Sequence, residues 1–521
     1  MNEPNLWRRI WPYFAIFLGS GFVIWMALLN DDQQDQYTFL LIGERVLHGQ
    51  VPYRDFFTFV PPGTAFTIAA WFKTFGDSME GVRVLTALTG AATVTLAFDL
   101  SREVASGPLL WIGPLGALSA FVVGNQGISH VLFAIPLAMT ASAVALRADR
   151  SGSTRAWFAA GLLAASAGLF TQTVGAWMGL AIFIASLTTQ APLRRRALLG
   201  ATVVLSGGMV LVPMLLLLLT AGAWDSFRYD VLTWTLDRYA PYHAGVGWGA
   251  WLPGWSMLTV IPGRWWPVWI PTIGFATIAI WVLPFVPVIA LLRSVRGERA
   301  PGRRVLLLVC AAMYASALPN GEVWRVLRLS AVFWPLIALE LQQLAGGLSL
   351  SAPARERFGM VLAVAIAAPL LACLGVQWSY RGALTPVDTP RGHVLIHPST
   401  RSEFEALRRH YQPGEAIVTL PDVSPADYLF RVRRTISNDY TLAPVFMTPS
   451  QLQQYAAELR DQRTARIAIM PNHATNADVI AEFKPGKYLD EFNVNALDDF
   501  VRKNYDVQFV DDGLVGLIRK P

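Results

Sequence analysis

The sequence predicts a polytopic α-helical membrane protein with juxtamembrane helices in its first outer loop and an α/β domain at its C-terminal end. Three observations carry that expectation. The chain of 521 residues is 54% hydrophobic and 15% charged, its arginines recur in the gaps between apolar runs, and the long apolar runs stop near residue 380. A soluble chain carries about 25% charged residues, so this composition points to a bilayer as solvent.

A spanning helix needs about 20 apolar residues. Candidate spans lie near 11–29, 81–99, 107–123, 129–147, 157–171, 174–189, 198–220, 267–292, 305–318, 330–346 and 359–377, about eleven in all. Several are short or broken by Gly and Pro. Short cytoplasmic loops are rich in Lys and Arg, which gives an independent test of this count. Arg8/Arg9, Arg102, Arg147/Arg150/Arg155, Arg194/Arg195/Arg196, Arg293/Arg296/Arg299/Arg303/Arg304 and Arg355/Arg357 all fall in the gaps that alternate counting from a cytoplasmic N-terminus places inside. The net charge of +6 is thereby explained by orientation and calls for no nucleic-acid partner. The N-terminal segment has a charged start, but "MALLNDD" offers no small-x-small cleavage site and reads as a retained signal anchor. Cys310 and Cys373 both sit in apolar spans as packing residues, so no disulfide or cysteine-metal framework is available.

From about 380 onward, segments such as "EAIVTL", "RIAIMP" and "YDVQFV" alternate with helical stretches such as "SQLQQYAAELRDQ". The division is therefore a membrane module over 1–379 and an α/β domain over 380–521, which span parity places outside the cytoplasm. Four of the five lysines (Lys484, Lys487, Lys503 and Lys520) belong to the second part. Outer loops are long, at 30–80, 221–266 and 319–329, and inner loops are short. Carboxylates and outward-facing arginines collect at the outer ends of spans, which points to chemistry at the outer interface.

The first outer loop is the most informative stretch. Asp31, Asp32 and Asp35 close the first span, because a charge at the bilayer centre costs roughly 2.5–3.5 kcal/mol. "YTFLLIGERVLHG" then spaces apolar residues as an amphipathic surface helix does and ends on Gly49. Pro61-Pro62 interrupt and restart the helix, and Arg83 opens the second span.

In this order and spacing, residues 30–100 resemble the GT-C class of membrane glycosyltransferases, especially the branch of lipid A aminoarabinose transferases and protein O-mannosyltransferases. The family pattern is an acidic pair, an aromatic three residues on, a surface helix ending in Gly, a "PP" turn, "FG" and an Arg opening the second span. "DQYTFLLIGERVLHG" matches it with Asp35 as the hallmark acid and Phe39 as the aromatic. Gln36 stands where the second acid would be, Val60 where a Lys often precedes "PP", and His130 near the place of a further outer-loop aspartate.

The resemblance implies a GT-C-like fold in a bacterial inner membrane, with a polyprenyl-phosphate-linked sugar as donor and an envelope glycan, lipid or protein as acceptor at the outer face. The leaving phosphate is already a stable anion, so one carboxylate suffices to deprotonate the acceptor hydroxyl, and the single displacement inverts the anomeric centre. Asp35 is the first candidate base, followed by Asp32 and Asp31. Arginine forks suit the donor phosphate. Arg83, Arg54, Arg325 and Arg328 are the candidates, with Arg228 and Arg238 behind them. Ion pairs are the competing use of Arg54 with Asp55 and of Arg228 with Asp225.

His130, Asp55 and Glu322 are candidates for a second base or an acceptor contact; His130 could equally cap a helix, and Glu322 pair with Arg325. No metal site is assigned, because no second His or Cys stands at ligand spacing. The three aspartates offer oxygen ligands of the kind Mg²⁺ or Mn²⁺ takes, so a divalent cation stays open as a cofactor. The aromatic stretch from Trp224 to Tyr242 reads as an interfacial belt or as a wall for the polyprenyl chain. Two other functions fit the composition: a lipid-linked sugar flippase, and a non-catalytic subunit of a glycan-assembly complex.

Overall fold

The computed structural model describes residues 6–28, 34–124, 127–239, 270, 274–275, 282–296, 300, 302–317, 323–348, 351–420, 425–432, 449–461, 466–469, 495–512 and 514–521. Among them, seven helices are long and apolar enough to cross a membrane, and the chain is a multi-pass membrane protein. The first is α1 (Leu6–Ala27), which packs along α4 (Met79–Val104). Then come α5 (Ile112–Gly124) with the 3₁₀ turn that leads into it, α6 (His130–Ser151) and α9 (Leu193–Thr220). The expected spans near 157–171, 174–189 and 305–318 are α7 (Thr154–Gly168), α8 (Gln172–Leu187) and a helix at Arg303–Ala317. At about 1.5 Å per residue these three are short for a bilayer core of about 30 Å. Of the expected span at 267–292, residues 267–269, 271–273 and 276–281 lie outside the described residues, and its second half holds most of a helix at Phe285–Val295.

Numbered on in chain order, α10 (Trp224–Phe227) runs into π-helical turns at Arg228–Thr233 and Thr235–Tyr239. The helices at Phe285–Val295 and Arg303–Ala317 are α11 and α12, and α13 (Val323–Leu329) leads through a 3₁₀ turn into α14 (Phe333–Gly347) and then α15 (Ala352–Arg381).

One end of the bundle gathers the arginines. Arg147 of α6 forks onto both oxygens of Asp99 on α4 at 2.6 and 2.7 Å, and the Tyr13 hydroxyl donates to Asp99 at 2.7 Å. Arg150 pairs with Glu103, Arg304 pairs with Asp149, and Arg195 donates to the Gly152 carbonyl just beyond α6 at 2.9 Å. Arg303 is 2% exposed and bonds Glu340 at 2.7 Å, with Arg293 joining the same carboxylate at 3.1 Å. A guanidinium so deeply buried persists because its acceptors are in place.

At the other end, two helices of the segment between α1 and α4 fill the space between spans. α2 (Gln34–Leu47) stops where Gly49 takes a φ of +86°, and α3 (Gly63–Phe75) restarts directly after Pro61-Pro62. The sequence pattern reads α2 as a surface helix with one wet face. The structure encloses it further: Tyr37, Leu40, Leu41 and Ile42 are all buried, α3 covers one side, and the C-terminal part of the chain covers another. That cover is a long-range contact, which no local periodicity encodes.

Past residue 384, β1 (Thr385–Thr389) and β2 (Gly392–Ile396) form an antiparallel hairpin. After α16 (Pro398–His410), strands β3 (Val418–Leu420), β4 (Arg466–Ile469), β5 (Tyr505–Asp511) and β6 (Leu514–Arg519) make one sheet in the order β3-β4-β6-β5. β3 and β4 are parallel, so the chain must cross over between them. It does so through α17 (Pro425–Leu429) and α18 (Pro449–Asp461); α19 (Asn495–Asn504) leads into β5.

Candidate active site at the helix ends

The site lies in the layer opposite the arginine-rich end, where α5 and α12 finish and α6 and α8 begin. Ser129 caps α6 by accepting from the Leu132 amide at 3.4 Å, so α6 turns the positive end of its dipole toward this layer. Arg328 on α13 donates from Nε to the Gly124 carbonyl at 2.8 Å, closing the last turn of α5, and from Nη1 to the Ser129 hydroxyl at 3.2 Å. Arg325, one turn earlier, donates from Nη2 to the Ser316 carbonyl at the end of α12 at 3.3 Å and to the Thr173 hydroxyl in the first turn of α8 at 3.4 Å.

Both arginines therefore act as staples between helix ends, which is a structural role in its own right. The staple leaves something over. Among the described residues, the Nε of Arg325 and the Nδ1 of His130 are buried with no hydrogen-bond partner, and both arginines lie near enough to act electrostatically on the His130 ring. A buried polar atom left unsatisfied costs about 1–3 kcal/mol, so an anionic oxygen placed against these donors would be stabilised.

The segment between α1 and α4 closes over the same layer. The Phe39 ring of α2 stands 5.3 Å from the His130 ring, and Phe59 stands 6.2 Å away. Gln36 is 5% exposed, and a Cβ built on Gly127, whose φ is +90°, would meet its Oε1 at 2.4 Å. α2 thus rests on the segment that leads into α6. Asp35 stands in the first turn of this helix, next to Gln36. Asp31, Asp32 and Glu322 lie outside the described residues.

The remaining candidates go to other partners. Arg54 and Asp55 form a two-bond fork, each contact 2.8 Å, and the Val51 amide also donates to Asp55 at 2.7 Å. The Arg54 guanidinium holds the Asp55 carboxyl below the usual carboxylate range. Arg83 pairs with Glu80 at 2.8 Å, and the Trp25 indole donates to the same carboxylate at 2.6 Å. Arg228 lies 3.8 Å from Asp225 on an exposed surface, and Arg238 belongs to the π-helical turn ending at Tyr239.

Asp230 is a residue that sequence reasoning missed. It is 5% exposed, accepts from the Thr58 amide at 3.4 Å, and burial pushes its carboxyl up to about 8. The signal was there: Phe227, Asp230, Val231 and Trp234 follow the i, i+3, i+4, i+7 stripe of a buried helix face. This stripe packs on the segment between α1 and α4, with Phe227 against Tyr53 at 5.0 Å and Trp234 against Phe57 at 5.1 Å and Phe59 at 5.6 Å. Trp234 is 1% exposed, so this part of the aromatic stretch is protein core joining the segment after α9 to the segment between α1 and α4, not an interfacial belt. Among the described residues no three His, Cys, Asp or Glu side chains gather as a metal site.

No protein-family model matches the chain, and no curated protein does. Solved structures do match it. ArnT from Cupriavidus metallidurans in the apo state superposes with a TM-score of 0.54 at 13% identity, covering 97% of this chain and 97% of that one. The same protein bound to undecaprenyl phosphate gives 0.48 at 13% identity over 97% and 98%. The Archaeoglobus fulgidus oligosaccharyltransferase, in complex with Zn and sulfate, gives 0.49 at 12% identity over 97% of this chain and 73% of that chain. The likeness to apo ArnT shows a shared GT-C fold along nearly the whole chain, well past the stretch at 30–100 that carries the resemblance in sequence.

Proposed function

We propose that the chain is a membrane glycosyltransferase that takes a sugar from a polyprenyl-phosphate donor and passes it to an envelope glycan, lipid or protein at the outer face of a bacterial inner membrane. The observation that carries the reading is the meeting of Arg325, Arg328 and the N-terminus of α6 at His130, where the Arg325 Nε and the His130 Nδ1 are buried without a partner among the described residues. ArnT, whose apo form shares the fold, has also been crystallised with undecaprenyl phosphate.

In this reading Arg325 and Arg328 hold the phosphate, and positive charge stabilises it as the bond to the anomeric carbon breaks. Asp35, on the helix that lies across the start of α6, takes the proton from the acceptor hydroxyl as its oxygen attacks the same carbon from the opposite side. One bond forms, one breaks, the proton ends on the carboxylate and the lipid phosphate leaves as an anion. Arg83, Arg54, Asp32, Asp31, Asp55 and Glu322 are secondary candidates for donor or acceptor contacts. The arginine-rich end faces the cytoplasm, residues 1–379 form the membrane module, and residues 380–521 form the outer α/β domain.

The test is transfer in proteoliposomes from a panel of polyprenyl-phosphate sugars, comparing the parent with Asp35→Asn. Transfer by the parent and a fall of about 10²–10⁴-fold in the variant are expected. Movement of labelled lipid across the bilayer without any transfer would replace the enzyme by a flippase, and a variant within a few-fold of the parent would remove Asp35 as the base.

A further inference from the structure

The tip of the β1–β2 hairpin reaches back into the first outer loop. Arg391, at that tip, is 2% exposed. Its guanidinium meets three different segments: Nη1 donates to Asp77 in the turn between α3 and α4 at 2.5 Å, Nη2 to Glu44 on α2 at 2.8 Å, and Nε to the Tyr428 carbonyl on α17 at 2.5 Å. The plane lies over the Tyr428 ring at 3.7 Å. The backbone takes part as well, since the Arg391 carbonyl accepts from the amide of Met79, the first residue of α4, at 3.1 Å. Arg431 supplies a second guanidinium to Asp77 at 2.7 Å, so two cations face two carboxylates.

We infer that Arg391 is a positioning residue through which the C-terminal α/β domain fixes α2, the helix that carries Asp35. Two contacts bear on α2 itself: Glu44 through its carboxylate, and Tyr37, two residues past Asp35, whose ring stands 5.4 Å from that of Tyr428. The hairpin tip is itself held, because the Thr389 hydroxyl accepts from the Arg391 amide at 3.1 Å and donates to the Gly392 carbonyl at 2.8 Å. A buried guanidinium tolerates little displacement, since each acceptor it loses leaves a desolvated donor behind. The α2 helix is thereby tied to the outer domain in its first turn, at Tyr37, and in its C-terminal half, at Glu44, while Gln36 of the same first turn lies against the approach to α6. The catalytic consequence rests on the proposed role of Asp35; the mechanical one does not.

The experiment follows amide hydrogen exchange in the purified full chain in lipid nanodiscs, for the parent, Arg391→Met, Arg391→Lys and the control Arg409→Met. Arg409 bonds Asp511 and Asp512 elsewhere in the outer domain. Arg391→Met is expected to speed exchange in 34–47 by about ten-fold while 130–151 keeps its protection, with Lys intermediate because it cannot span both carboxylates. Arg409→Met leaves 34–47 unchanged. Glu44→Gln, which keeps the side-chain shape, is expected to reproduce part of the effect at 34–47. Where the transfer assay succeeds, Arg391→Met lowers kcat with little change in KM for the donor. Unchanged exchange in 34–47, or an equal rise in every segment for both Arg391→Met and Glu44→Gln, overturns the inference. Absence of transfer by the parent overturns the enzyme reading alone and leaves the exchange result standing.

Discussion

Arg328 reaches from α13 to the Gly124 carbonyl at 2.8 Å, while Arg325 spans from Ser316 to Thr173 with its Nε left over. The two arginines are one turn apart and differ in what they leave available. Arg328→Ala removes a staple from two helix ends, and a lost charged hydrogen bond costs about 1.5–3 kcal/mol, so its thermal midpoint should fall. Arg325→Ala should stay nearer the parent in stability and, on the proposed reading, lose about 10–100-fold in affinity for undecaprenyl phosphate, the loss of one charged hydrogen bond. Equilibrium binding and thermal unfolding separate the two effects. Equal affinity in the parent and Arg325→Ala would place the phosphate elsewhere.

Asp230 gives the chain a pH dependence of known sign. The carboxyl moves from 3.8 to about 8 because it is buried where the segment after α9 packs on the segment between α1 and α4. Between those values the folded protein keeps a proton that the unfolded chain has released, so this group's contribution to stability declines as pH rises and levels off above about 8. The slope is at most about 1.4 kcal/mol per pH unit. Asp230→Asn accepts the Thr58 amide without titrating, so the stability difference, variant minus parent, should grow from pH 5 to pH 8. A pH-independent difference in unfolding free energy would show that Asp230 ionises normally.

The parts of the fold that were legible in the sequence are those set by neighbours in the chain. Gly49 and Pro61-Pro62 bound α2 and α3 because they act on the backbone where they stand. Apolar length marked the spans for the same reason. The enclosure of α2 was not legible, since it depends on Tyr428 and Arg391, more than 340 residues away. At the site, Arg325, Arg328 and His130 could each be singled out from charge and position, yet their meeting at His130 is a tertiary fact. Gln36 illustrates the gap: it reads as a lost acid, and the structure uses it as a buried contact against Gly127.

Glu340 carries two arginines at the opposite end of the bundle, Arg303 at 2.7 Å and Arg293 at 3.1 Å. Glu340→Ala withdraws the carboxylate from a guanidinium that is 2% exposed, and breaking a buried pair in this way costs about 3–5 kcal/mol. Glu340→Gln keeps an acceptor oxygen and should cost less. Unfolding midpoints in detergent, ordered parent above Gln above Ala, are the expected result; midpoints that coincide would mean that water enters the pair.

Gly175 links packing to the site. A Cβ at this position would come within 2.2 Å of the Gly168 Cα and 2.5 Å of its nitrogen, so α7 and α8 touch backbone to backbone. Membrane helices pack closely through small residues, and a methyl group here has only backbone to push against. Gly175→Ala should cost about 1–3 kcal/mol and displace the start of α8. Thr173, the hydroxyl that holds Arg325, lies two residues before Gly175. The variant should therefore lose affinity for undecaprenyl phosphate as well as stability, although it changes no polar atom. Gly179→Ala, on the same helix with nothing within 4 Å of the added carbon, is the control and should change neither. If Gly175→Ala lowers the unfolding midpoint and leaves lipid affinity intact, the α8 terminus does not set the position of Arg325, and the phosphate contacts depend on α13 alone.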